Sequence, residues 1–194
     1  MKNRIYNFSA GPAILPTEVL EKAQSELLSL NGIGMSVMEV SHRSKYFEPI
    51  LESAKQGLRD LLDIPDNYQI LFLQGGASLQ FAQIPMTFLS KETSADYIVN
   101  GAWSEKAVKE ARKFGNVNII YSSKETGYKS APNQEDLRFS SDAQYIHYCS
   151  NETIEGVEFK YDLDGGNVPV ICDASSNILS KPIDISKYAM IYAG

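Results

Sequence analysis

Four short stretches carry side chains suited to holding a small, flat, anionic molecule. The first, "GGAS" at 75–78, joins two glycines to a hydroxyl. Glycines let the backbone turn sharply, and a helix starting there offers free N–H groups and a positive dipole end, a setting for phosphate. Glycine pairs also open helices for structural reasons alone. Trp103 in "NGAWSEKA" is the only tryptophan. Its face can stack on a planar ligand, or fill a core or rim position. "NET" at 151–153 offers hydrogen-bonding groups or simply a polar turn. Asp173 in "VPVICDASS" follows an apolar run, where a carboxylate is costly unless something pairs with it. It can cap a helix, or hold a proton on a ring nitrogen.

The elements that must position these residues follow from the apolar pattern. "PTEVLEKAQSELLSL" sets Val19, Leu20, Ala23, Leu27 and Leu30 on one helical face, with Pro16 and Thr17 at its start. "FEPILESAKQGLRDLLDI" does the same with Ile50, Leu51, Ala54, Leu58 and Leu61. The period then changes. "YQILFLQ" (68–74) has strand length, and "GGASLQFAQIPMTFLS" reads as helix. "DYIVNG" is a strand, and "SEKAVKEARKFG" a helix with Ser104 as N-cap and Gly115 as stop. "NVNIIYSS", "AQYIHYCSN", "VPVICD" and "YAMIYA" are further strands, with a short helix around "NQEDLR". Apolar strands separated by helices predict an α/β fold, a mostly parallel sheet with helices on both faces. Ligands bind beyond the carboxyl ends of such strands, where all four stretches fall.

Together, a phosphate cup, a stacking face and a carboxylate on different strand ends meet the needs of pyridoxal phosphate. A lysine for its covalent attachment is missing from the pattern. Lys181 and Lys187 sit in "LSKPIDISKY", a polar, surface-like segment.

Composition narrows the classes. Of 194 residues, 43% are hydrophobic and 22% charged, enough for a sizeable core. The net charge of −6 argues against nucleic-acid or anionic-membrane partners. There is no run of roughly 18 apolar residues and no apolar leader near the start, so no membrane span and a cytoplasmic location are expected. Cys149 and Cys172 match no zinc spacing, and His42 and His147 are the only histidines. No metal is expected, and the cysteines read as buried thiols.

The sequence resembles the phosphoserine aminotransferases, enzymes of the pyridoxal phosphate fold-type I class. The resemblance runs through "YNFSAGPAILP", "EVSHRSKYF", "LFLQGGASLQF", "NGAWSEKA", "SNETIEGVEF" and "DASSNILSKPIDISKYAMIYAG", covering the whole chain. It implies the large domain of that fold over residues 16–194, incomplete at its C-terminal end. It implies an arm over 1–15 belonging to the small domain and active site.

By the same resemblance, Gly76, Ala77 and Ser78 hold the cofactor phosphate and Trp103 stacks on the ring. Thr153 bonds the ring edge, Asp173 the ring nitrogen, and Ser175 lies near the phosphate. Where some relatives carry an arginine after the glycines, this chain has Ala77 and Ser78. Ser9 and Arg43 contact substrate, and His42 binds substrate phosphate, in relatives from across a dimer interface. The implied reaction moves an amino group between glutamate and 3-phosphohydroxypyruvate, yielding 2-oxoglutarate and phosphoserine in serine biosynthesis.

In these relatives "YAG" begins a turn reading Ala-Gly-Ala-Gln-Lys, whose lysine holds the cofactor. That lysine falls past Gly194, so the chain is expected to be the first half of the enzyme and inactive alone. The alternative is a non-catalytic phosphate-binding, cofactor-binding or dimerisation module on the same fold. A homodimer is expected, as is poor solubility or self-association of this portion.

Overall fold

The computed structural model describes residues 4–9, 11 and 13–194. They divide into two compact units, 1–70 and 71–194, the few residues outside the description excepted.

The first unit is helical. α1 spans Thr17–Glu26, with Pro16 at its N-cap. It ends four residues before Leu30, short of the predicted helix. Ser29 is extended, its Oγ accepts the Gly34 N–H at 2.9 Å, and Asn31 turns left-handed in a short 3-10 helix. None of the α1 residues is buried, so the apolar stripe of Val19 and Leu20 stands in solvent. α2 spans Glu48–Leu62 and ends on Asp63 in the left-handed conformation. Arg59 closes the following turn, donating to the carbonyls of Ile64, Pro65 and Tyr68 at 3.2, 3.1 and 2.9 Å.

The second unit is built on a parallel sheet. Its strands are β1 (Ser94–Val99), β2 (Asn116–Ser122), β3 (Ile146–Cys149), β6 (Val170–Asp173) and β7 (Met190–Tyr192), in the order β2-β1-β3-β6-β7. β4 (Asn151–Glu152) and β5 (Val157–Glu158) form a separate antiparallel pair just after β3. The helices are α3 (Gly76–Phe88) and α4 (Ala102–Ala111).

Alternation along the strands sorts the core into two layers. On one face Tyr97, Val99, Tyr145 and Ile171 pack with Phe81 and Ile84 of α3 and Ala107, Val108 and Ala111 of α4. On the other, Ile98, Ile146, Tyr148, Val170 and Cys172 pack against Leu137, Phe159, Leu163 and Tyr188. Both cysteines are buried and free, and burial pushes the Cys172 thiol up to about 12.

Besides the shorter α1, two local expectations are corrected. The run 68–74 joins no ladder among the described residues, and Leu71, Phe72 and Leu73 are 70%, 56% and 64% exposed. Its apolar character suits a strand, but a strand forms only where a neighbour supplies backbone partners. α4 begins at Ala102, so Ser104 is its third residue and the N-cap is Gly101. "NQEDLR" holds a single 3-10 turn, Gln134–Asp136.

Candidate cofactor site

The sheet order places a switch point between β1 and β3, because the chain runs from β1 out to β2 and returns on the opposite side. A crevice opens outside the carboxyl ends at such a point. The segment after β1 carries Trp103 and the segment after β3 carries Thr153.

α4 starts just beyond the carboxyl end of β1 with a glycine N-cap, which has no side chain to satisfy the first N–H groups. Glu152 of β4 takes that role. Its Oε2 accepts the Trp103 N–H and its Oε1 the Ser104 N–H, both at 2.9 Å. The Ser104 hydroxyl also donates to Oε1 at 2.5 Å. Glu155 Oε1 accepts the Ala102 N–H at 3.1 Å. Glu152 is fully buried, and burial pushes its carboxyl up while the Ser104 and Trp103 donors pull it back. The Trp103 indole Nε1–H is buried without a partner among the described residues. The Lys106 ammonium lies 3.9 Å from the ring centroid, over one face.

α3 starts differently. Gly75 and Gly76 both have positive φ, +96° and +58°, a conformation that favours glycine. No side chain caps this helix start. The backbone at Gly194 comes so close that a Cβ there would lie 2.4 Å from the Ala77 nitrogen. The Gly194 N–H donates to Ser175 Oγ at 3.1 Å. Ser175 in turn donates to Asp173 Oδ1, from Oγ at 2.6 Å and from the backbone at 2.9 Å. Contacts therefore run unbroken from the α3 start to the Asp173 carboxylate.

Asp173 lies at the end of β6, level with Cys149 of β3 and Tyr192 of β7. It is buried, and no ion pair reaches it among the described residues. Burial pushes its carboxyl up, and the Ser175 donors and the Tyr192 hydroxyl lower it. One layer below, His147 Nε2 meets the Tyr192 hydroxyl at 2.7 Å, and its ring stacks on Tyr97 at 4.9 Å. Burial pulls His147 down to about 3, so the ring is neutral.

The second unit thus holds Gly76, Ala77, Ser78, Trp103, Thr153, Asp173 and Ser175 on one sheet edge. Ser9, His42 and Arg43 belong to the first unit, all exposed. His42 and Arg43 sit in a turn closed by the Ser44 N–H on the Ser41 carbonyl at 2.9 Å. Sequence reasoning offered Glu152 of "NET" only as a ligand-bonding or turn residue, not as the acceptor for a helix start, and did not single out His147. Glu152 had one available signal: a helix opening on glycine needs an acceptor from elsewhere.

Comparison with known proteins agrees with this architecture. Residues 5–194 match the model for aminotransferase class-V. The chain belongs to the aminotransferase class-V family. Over all 194 residues it is 55% identical to the phosphoserine aminotransferase of Pseudomonas fluorescens (strain SBW25), covering 54% of that protein. The structure of phosphoserine aminotransferase from Bacillus circulans subsp. alkalophilus superimposes with a TM-score of 0.94 at 46% identity, over 98% of this chain and 53% of that one. A PLP-bound phosphoserine aminotransferase from Trichomonas vaginalis gives 0.88 at 42%, with the same coverage. The chain spans about half the length of the curated relatives it matches. No described helix is long and apolar enough to cross a membrane, and no described cluster of side chains suits a metal ion.

Proposed function

We propose that this chain is the cofactor-binding portion of a phosphoserine aminotransferase that uses pyridoxal phosphate. The whole protein would move an amino group between glutamate and 3-phosphohydroxypyruvate. The observation that carries this is the contrast between two helix starts on one sheet edge. The α4 start is filled by the carboxylates of Glu152 and Glu155. The α3 start has no side-chain cap and is linked through Gly194 and Ser175 to a buried carboxylate without a cation. An open helix start suits a phosphate, and a lone buried carboxylate suits a protonated ring nitrogen.

Bound pyridoxal phosphate supplies a ring that accepts electrons from the substrate's α-carbon. The chain's residues do the holding. Backbone N–H groups of Gly76, Ala77 and Ser78, with the Ser78 hydroxyl, bind the phosphate. Trp103 fixes the ring plane and Thr153 bonds its edge. Asp173, oriented by Ser175, keeps the proton on the ring nitrogen.

Arg43 binds a substrate carboxylate or phosphate through its planar fork, assisted by Ser9. Residues 1–15 serve as an arm of the substrate site and 16–194 as the cofactor domain. Two copies pair as a homodimer, with His42 serving the opposite site. By the resemblance, the anchoring lysine lies outside these 194 residues. Lys181 and Lys187 are engaged with the carbonyls of Phe159 and Asp162, at 2.8 and 3.4 Å.

The test is titration of the 194-residue chain with pyridoxal phosphate, followed by Trp103 emission. Saturable quenching that inorganic phosphate competes away is expected, about tenfold weaker in Asp173→Asn, the order of one lost charged contact. No 2-oxoglutarate should form from glutamate. Absence of saturable quenching would defeat the reading.

A further inference from the structure

We infer that Glu152 is a positioning residue, a carboxylate clamp that joins the β4–β5 hairpin to the first turn of α4 and sets where the Trp103 ring lies. Its consequence for ligand binding rests on the cofactor reading above. The clamp itself does not.

The geometry is specific. Three donors converge on one fully buried carboxylate: the Trp103 N–H, the Ser104 N–H and the Ser104 hydroxyl. Two of them belong to consecutive residues of the helix start, so the carboxylate fixes both the position of that turn and its rotation. The first turn also presents the positive end of the helix dipole, which a carboxylate complements.

The sequence clears space for this contact. A Cβ at Gly101 would lie 2.4 Å from Glu152 Cδ, so any larger residue there would push the carboxylate away. Ser104 reaches back as well, its Oγ accepting the N–H groups of Asn100 and Gly101 at 3.1 and 3.2 Å. Thr153 follows Glu152 directly in sequence. One hairpin therefore carries both Thr153 and the clamp that orients Trp103, and the two candidate ring contacts are held in a fixed relation.

The test uses Trp103 as its own reporter, because it is the only tryptophan. In Glu152→Gln one oxygen becomes a donor facing N–H donors, with little change of shape. Ligand-free, this variant is expected to keep its far-UV circular dichroism while Trp103 emission shifts to the red and acrylamide quenching rises. Pyridoxal phosphate should then bind about tenfold more weakly, as for loss of a charge-assisted hydrogen bond.

A folded Glu152→Gln chain with unchanged emission and acrylamide quenching overturns the clamp. Failure of the unsubstituted chain to bind pyridoxal phosphate defeats the cofactor reading instead, and leaves the ligand-free comparison standing. If Glu152→Gln does not fold, Ser104→Ala removes only the hydroxyl donor and is expected to shift emission in the same direction by less. Unchanged emission there also overturns the proposal.

Discussion

At the scale of single residues, two buried ionisable groups one layer apart show how environment sets charge. Among the described residues Tyr97, Tyr192 and Phe81 pack around the His147 ring, and no charge contributes to its shift. Burial alone pulls it from 6.5 to about 3. The unfolded chain takes up a proton below about pH 6.5, whereas the folded chain resists it. His147 therefore contributes stability that is present above that pH and is lost as pH falls toward the folded value. The slope is at most about 1.4 kcal/mol per pH unit. Asp173 and Glu152 work in the other direction, because protonation relieves the cost of their buried charge. The clean measurement is thus the difference between the parent and His147→Gln in urea unfolding from pH 7.5 to about 5. We expect the variant to lose less stability on acidification. Equal pH dependence would show that His147 is not held neutral by burial.

At the scale of elements, the β4–β5 hairpin and α4 act as one unit because a side chain from one completes the backbone of the other. Gly101→Ala tests this. The methyl would meet the Glu152 carboxylate, so the three bonds to it should weaken together, costing about 2 kcal/mol. Thermal unfolding should report it as a lower Tm. A Tm equal to that of the parent would mean that the carboxylate relocates without cost. The same elements show what could be read from sequence. β1, β3 and β6 were legible because apolar runs bury nearly every residue in them, and the partly covered β2 and β7 through their shorter apolar stretches. So was α3, through its glycine pair. Asp173 and Trp103 were legible because strand ends select them. Glu152 was not, since its role arises from a contact across 49 positions, which local pattern does not encode. The 68–74 run was misread for the same reason: apolar content speaks of burial, while strand pairing depends on a distant neighbour.

At the scale of the molecule, large apolar side chains face solvent. Ile5, Tyr6 and Phe8 are 83%, 89% and 92% exposed, and Leu28 and Met38 are similarly uncovered. In the second unit Leu71, Phe72 and Leu73 expose apolar side chains on a segment that joins no ladder among the described residues. Such surfaces drive association. The 194-residue chain is expected to elute from size exclusion above the mass of one copy, more so at higher concentration. A sharp, concentration-independent monomer peak would contradict this.

The order of the sheet also constrains how the chain can fold as it is made. β1 lies between β2 and β3, yet β3 follows it by nearly fifty positions. Once β2 has been synthesised, β1 can satisfy only one of its sides, and the other must wait for residue 146 to leave the ribosome. During that interval a nascent chain displays an open apolar edge, the kind of surface that chaperones engage and that aggregates when they do not.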